Sequence, residues 1–136
     1  MKKGFIFGLC ILMSSVAFAE HDATYCGRLI PAEKVDEFSD MKPLAILVVD
    51  YVELTGSFPG EYTDAQGFAA IYETQTQSAK RNLKRFVKSA KAGRLRAKIC
   101  VKGLWGGSLY DSSDINSIRL ASDSVDRVDY ARNFKN

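Results

Sequence analysis

The sequence predicts a small, mostly β domain with a single helix. Alternating or β-branched segments lie on both sides of residues 76–93. Within that stretch, apolar residues recur at spacings of three and four, which is the period of an amphipathic helix. Glycine and proline punctuate the chain between these segments, as turns do.

Residues 1–19 are expected to be a secretory signal peptide. They hold a basic start at Lys2 and Lys3, a short apolar stretch at 5–13 and a small-x-small cleavage motif that ends at Ala19. No other segment has the run of about 18 apolar residues that spans a bilayer. We therefore expect cleavage near Ala19 and a secreted or periplasmic product of 117 residues with no transmembrane segment.

Three strands are expected before the helix. The first, at 25–31, carries Cys26, and the second, at 44–54, is the most apolar and β-branched segment of the chain. A turn rich in glycine and proline follows, and 67–74 can then return as a partner strand. The second and third strands are thus predicted to form a hairpin.

The helix and two further strands complete the order. Thr76 or Ser78 can cap the start of the helix, and Gly93 is the residue type that ends one. Residues 94–102 alternate with period two, which turns Cys100 away from the main apolar layer. A glycine- and serine-rich loop is expected at 103–113, and a last strand at 115–121.

This order is that of an OB-fold barrel, in which the helix falls between the third and fourth strands. The domain is predicted to span 20–121, and 122–136 is predicted to be a polar C-terminal tail that forms a weak helix or docks on the domain. A generic α+β sandwich is the alternative left open by the pattern.

Two cysteines remain after the expected cleavage, Cys26 and Cys100. In an oxidising compartment, such a pair predicts one structural disulfide. Two free buried thiols are the alternative.

Charge is strongly segregated along the chain. Residues 20–75 carry three Lys or Arg and eleven Asp or Glu, a net charge of −8, whereas 76–105 carry ten cations and no acid. Residues 106–136 carry four cations and five acids, or −1. The expected product is therefore electrically polar and nearly neutral overall.

Part of the chain resembles the B subunits of bacterial toxins that attach an enzymatic A chain to a ring of five carbohydrate-binding chains. In the subtilase cytotoxin and typhoid toxin branch, a helix ends at a glycine, a basic strand follows and a Lys-x-aliphatic-Trp motif closes it. Gly93, the strand RLRAKICV and the run from Lys102 to Trp105 match that pattern. The cholera toxin branch has a disulfide from its amino-terminal segment to a Cys-Val pair, as Cys26 and Cys100 would supply.

The resemblance covers about 76–121 and implies an OB fold, a homopentamer, a role in virulence and binding of host cell-surface glycans. The sugar-contact positions of the two branches are occupied here by Gly107 and Lys102, so no family sugar site is carried over intact. B-subunit helices of this family surround a central channel. The resemblance thus implies that helix cations face a pore and a partner chain: Lys80, Arg81, Lys84, Arg85, Lys88 and Lys91.

Two other interpretations of these cations remain open. They can form a solvated helix face, since Lys and Arg are good helix formers. They can also bind nucleic acid or anionic lipid, because OB folds bind single strands. Export and the acidic first half of the chain argue against nucleic acid.

Candidate glycan-binding residues form two groups, one after the predicted fourth strand and one just before the helix. Trp105 and Tyr110 are either packed at the barrel rim or form a platform on which a sugar ring stacks. Polar neighbours would then bind hydroxyl groups, and the full candidate set is Trp105, Ser108, Tyr110, Asp111, Glu73, Gln75 and Gln77, with Ser112 as a further neighbour.

We expect no catalytic residues, metal site or cofactor. The single histidine, His21, lies near the expected new amino terminus, where we expect it to be mobile. The sequence therefore offers no well-placed histidine for a Ser/His or Cys/His nucleophilic site. Metal ligation needs clustered ligands, and none cluster in the sequence. The leading hypothesis is a non-enzymatic, glycan-binding B-subunit-like ring that carries an A chain. The alternative is a monomeric exported OB-fold adaptor or inhibitor that binds an acidic protein or polyanion through its cationic helix.

Overall fold

A computed structural model describes residues 16–32, 43–55, 60–62, 67–109 and 120–134. In chain order its elements are β1 (Val16–Pro31), β2 (Ala45–Leu54), β3 (Gly60–Tyr62), β4 (Gly67–Ile71), α1 (Gln77–Lys91), β5 (Ile99–Leu109), β6 (Leu120–Tyr130) and a short 3-10 helix (Ala131–Asn133). The prediction of a mostly β domain with one α-helix is confirmed.

The strands form one six-stranded sheet in the order β1-β5-β6-β4-β2-β3, and β1 also pairs with β2. The β4–β6 pair is parallel, whereas the other pairs are antiparallel. Strand β1 pairs with β5 from Val16 to Gly27 and with β2 from Ala23 to Pro31. It therefore joins the two halves of the sheet.

Gly27 permits the close approach of β1 and β2 at a bulge in their register. A Cβ atom at this position would lie 1.9 Å from the carbonyl oxygen of Val48, and the register shifts between Cys26 and Gly27. No side chain fits there without moving the β2 backbone, so glycine is required by space.

The main core lies between the sheet and one face of α1. Its largest members are fully buried aromatic and branched aliphatic side chains drawn from β1, β2, β4, β5, β6 and α1. They include Tyr25, Leu47, Val52, Ile71, Phe86, Ile99, Val101, Trp105, Val125 and Val128. A second, smaller cluster is built on Ile46 and Phe68.

The helix has the boundaries that its sequence predicts. The Thr76 hydroxyl oxygen accepts a hydrogen bond from the Ala79 amide at 3.0 Å and donates one to the Asp126 carbonyl at 3.0 Å, which ties the cap to β6. Gly93 follows the helix with φ of +71°, the left-handed conformation that glycine adopts most readily. Ala79, Leu83 and Phe86 are buried, and the Phe86 ring packs edge-on against Tyr130 at 4.9 Å.

Several strand limits differ from the predictions. Strand β5 begins at Ile99 and continues to Leu109, so residues 103–109 form strand and not the expected loop. A Cβ atom at Gly103 would lie 2.6 Å from the Ser124 carbonyl oxygen, which shows that this glycine serves close strand pairing. The short β3 was expected to be part of a turn, and the partner strand predicted at 67–74 ends at Ile71.

The carboxyl-terminal region also differs from the prediction. Strand β6 runs from Leu120 to Tyr130 and pairs with β5, so residues 122–130 of the expected tail are strand. The strand predicted at 115–121 lies mostly outside the described residues. Val125 and Val128 are buried in the core, which gives this polar segment its anchors.

At the amino terminus, β1 includes residues 16–19 of the expected signal peptide, paired with β5. The rest of that peptide lies outside the described residues, and cleavage near Ala19 stays a prediction. The mature strand would keep its pairing with β5 from Glu20 opposite Gly106 onward. In the part of the chain that the structure describes, no helix has the length and apolar character needed to cross a bilayer.

Candidate functional site

Cys26 and Cys100 form a disulfide, as predicted. They lie directly opposite each other in the β1–β5 register, with Cα atoms 4.1 Å apart, and Cys26 also faces Tyr51 of β2. Both residues are buried but stand outside the main core cluster, as the alternation of β5 indicates. The bond links β1 to β5 on the face of the sheet that points away from the main core.

Trp105 cannot serve as the expected sugar platform in this structure, because it is fully buried. Its indole Nε1 donates a hydrogen bond to the Ala23 carbonyl at 3.1 Å, and its ring contacts Tyr25 edge-on at 4.8 Å between centroids. An enclosed ring offers no face on which a pyranose can stack. Trp105 is therefore packed within the domain.

Among the other glycan candidates, the structure describes Glu73, Gln75, Gln77 and the backbone of Ser108. Glu73, Gln75 and Gln77 are exposed along the segment that joins β4 to α1. The backbone there is held by a hydrogen bond from the Gln75 amide to the Val125 carbonyl at 2.6 Å. Ser108 lies in β5 opposite Ala17, whereas Tyr110, Asp111 and Ser112 fall outside the described residues.

The six cations of α1 are all exposed to solvent. The helix contains no acid in its first turn, and Lys88 and Lys91 lie in its last turn. Among the described residues, Lys80, Lys84 and Lys88 have no ion-pair partner, and Arg85 lies over the Phe86 ring at 5.2 Å. Within the described part of the chain, no acid therefore offsets the mutual repulsion of Lys80, Lys84 and Lys88.

One flank of the helix borders an apolar groove of about 480 Å³. Leu83 and Val87 of α1 line it together with Leu44 and Thr74, and four lysines complete the lining: Lys80, Lys84, Lys88 and Lys91. Among the described residues, Leu44 is the one large apolar side chain that is exposed, with 48 % of its surface accessible. We call this feature the lysine groove.

A second concavity, of about 650 Å³, lies over the disulfide. Its lining mixes hydrogen-bond donors, acceptors and aromatic rings: Thr24, Asp50, Tyr51, Glu53, Glu61, Lys98 and Phe134. The Lys98 ammonium pairs with the Asp50 carboxylate at 2.7 Å. Burial raises the pKa of Tyr51, and so do the charges of Glu61 and Glu53, so this hydroxyl stays a donor. We call this feature the disulfide cleft.

His21 is held in β1, and the expectation that it is mobile was wrong. A hydrogen bond of 2.5 Å joins its Nε2 atom to the Tyr25 hydroxyl. Partial burial lowers the pKa of His21 to about 4, although the charge of Asp22 acts in the opposite direction. Burial also raises the pKa of Tyr25, so the pair is neutral near pH 7.

Within the described ranges, no group of three or more His, Cys, Asp or Glu side chains is placed to hold a metal ion. No family model matches the chain, and neither a curated protein nor a solved structure matches it. The two surface features of the described residues that can bind a ligand or partner are the lysine groove and the disulfide cleft.

Proposed function

We propose that the sheet closes as an OB-fold barrel. Support comes from the pairings β1–β2, β2–β4, β4–β6, β6–β5 and β5–β1, which follow one another around a circuit, with β3 added beside β2. In chain order, the helix then falls between β4 and β5, the third and fourth of these five strands, as in OB folds. Amide exchange tests this: slow exchange on both sides of β1 is expected, and fast exchange along one side would mean an open edge.

We further propose that the chain is an exported, non-enzymatic binding module that attaches to an acidic partner protein through α1. The observation that carries this proposal is the exposed row of Lys80, Lys84 and Lys88, which have no ion-pair partner among the described residues and border an apolar groove. A surface of one charge sign attracts an oppositely charged partner and speeds its association. The disulfide is compatible with an oxidising compartment, where this module would act.

Binding of poly-L-glutamate tests this function directly. We expect salt-sensitive binding that is lost when Lys80, Lys84 and Lys88 are changed together to Glu. Arg96 and Lys102 are exposed cations outside α1, so changing both to Glu serves as the control and should weaken binding only slightly. An equal loss in both variants, or no binding at all, would contradict the proposal.

A toxin B-subunit-like ring that binds glycans and carries an A chain is the second candidate function. Two observations favour it: the Cys26–Cys100 bond, and the mixture of donors, acceptors and aromatic rings in the disulfide cleft, which suits sugar hydroxyls. Native mass spectrometry should then give about five times the protomer mass, as the resemblance implies for a C5 ring. A glycan array should lose its signal with Glu53→Gln, whereas a clean monomer without a glycan signal would exclude this candidate.

A further inference from the structure

We propose that the lysine groove binds an acidic amphipathic helix of a partner protein. The inference rests on the proposed attachment to an acidic partner and specifies the chemistry of the segment that is bound. It follows from the combination of an apolar floor with a cationic rim. A purely acidic chain satisfies only the rim, because Leu44, Leu83 and Val87 offer it no polar contact.

The exposure of Leu44 supports a partner with apolar side chains. Its side chain is 48 % exposed, although its backbone amide is fixed by a hydrogen bond to the Ile71 carbonyl at 2.7 Å. Leu83 and Val87 lie one turn apart on α1 and continue the apolar surface across the groove. Apolar anchors on a partner would remove this surface from water.

The spacing of the lysines fits a partner of about three helical turns. Lys80, Lys84, Lys88 and Lys91 recur at intervals of four, four and three residues, so each stands one turn after the last. Eleven residues at about 1.5 Å each give a rim of roughly 16 Å. Acids one turn apart on a partner helix have the same repeat and can meet the successive ammonium groups.

A helix fits this groove better than an extended strand does. The rim is built from side chains of α1, whose backbone hydrogen bonds are made within the helix. A bound strand would find no free backbone donors or acceptors along that rim, whereas a helix satisfies its own backbone. The charge of the rim selects acids at the edges of the partner's apolar stripe.

Fluorescence anisotropy with two designed peptides tests the inference on the oxidised, mature chain. The first is a labelled peptide of roughly 18 residues with leucines at helical spacing and glutamates on both flanks. The second has the same composition in a scrambled order that forms no apolar face. We expect the amphipathic peptide to bind at least about tenfold more tightly than the scrambled one.

Variants on the two flanks of α1 make the test specific to the groove. Leu44→Ser and Val87→Ser should each weaken binding of the amphipathic peptide by about tenfold, and Lys84→Gln by about threefold. Arg81→Gln removes one charge from a position that does not line the groove, and binding should change by less than about twofold. Leu44 is largely exposed, so Leu44→Ser should fold normally, which circular dichroism verifies.

Each result bears on a distinct part of the reasoning. Equal binding of the two peptides would overturn the amphipathic helix, while charge-based attachment would survive. Loss of binding to both peptides and to poly-L-glutamate would remove the proposed function as well. Binding to vesicles of phosphatidylglycerol that depends on Leu44, without peptide binding, would show that the groove takes lipid and would also overturn the inference.

Discussion

Removal of the disulfide should destabilise the domain strongly. The change is Cys26→Ala together with Cys100→Ala, which opens a cross-link between residues 74 positions apart. In the chain-entropy description, closing a loop of that length lowers the entropy of the unfolded state, and this raises the free energy of unfolding by about 4.5 kcal/mol at 25 °C. Domains of this size are stable by about 5–15 kcal/mol, so much of the stability is at stake.

Urea unfolding followed by Trp105 fluorescence measures this loss, because the single tryptophan is buried beside β1. We expect the free energy of unfolding to fall by about 3–4 kcal/mol, since observed gains are often below the chain-entropy value. Wild-type protein unfolded with a reductant present is the matched control and should reach the same stability. A loss below about 1 kcal/mol would refute the reasoning and would indicate that the reduced unfolded chain already keeps β1 near β5.

Three further predictions concern single residues. Because burial lowers the pKa of His21 from 6.5 to about 4, the unfolded chain binds a proton that the folded chain excludes between these pH values. The stability contributed by neutral His21 should therefore be fully present above pH 6.5. The free energy of unfolding should fall by about 1 kcal/mol toward pH 4, after solvent screening is allowed for. In urea titrations, His21→Gln should flatten this dependence. Gly27→Ala should lower the free energy of unfolding in urea by about 3 kcal/mol or more, because its Cβ would overlap the β2 backbone. At Gly93 a Cβ meets open space, so Gly93→Ala should cost only about 1 kcal/mol, for its positive φ. Equal costs for the two variants would contradict the role of packing at Gly27. Trp105→Phe should cost about 1–3 kcal/mol by thermal unfolding, since it leaves the Ala23 carbonyl without its indole donor, and a neutral effect would show that water replaces that donor.

Local patterns predicted the elements that have strong periodicity or a specific cap. The Thr76 cap, the apolar stripe of α1 and the left-handed Gly93 are all encoded within a few residues, and each is present in the structure. The disulfide was predictable for a different reason, since only two of the three cysteines lie outside the segment expected to be a signal peptide, and two cysteines allow a single pairing. These features depend on neighbours in sequence and not on the arrangement of the sheet.

The limits of β5 and β6 could not be predicted in the same way. Glycine usually marks a loop, yet Gly103 lies within β5 because β6 passes too close for a side chain. In β6 the buried Val125 and Val128 are three residues apart, and the β5–β6 register shifts between them: Lys102 faces Arg127, whereas Gly103 faces Val125. Such bulges interrupt the period of two that identifies a strand.

For Trp105, one signal did favour the core. Counting from Ile99 in steps of two reaches Val101, Gly103 and Trp105, so the period of β5 points the indole inward if the strand continues. Because a loop was expected after residue 102, the alternation was not extended to Trp105. An aromatic residue on a strand and one on a loop have different functions, and only the paired register of β5 with β1 distinguishes them here.

The lysine groove illustrates what sequence patterns omit. Its cations were visible as a charged helix face, but Leu44 comes from a segment about forty residues earlier and reaches the groove only because β2 and β4 bring it beside α1. Without Leu44, the exposed lysines fit any polyanion; with it, the surface selects a partner that is both acidic and apolar. Specificity at this site is therefore a property of the packed sheet and helix together. It follows that Leu44→Ser, which leaves every charge in place, separates selective attachment from simple charge attraction better than any lysine variant does.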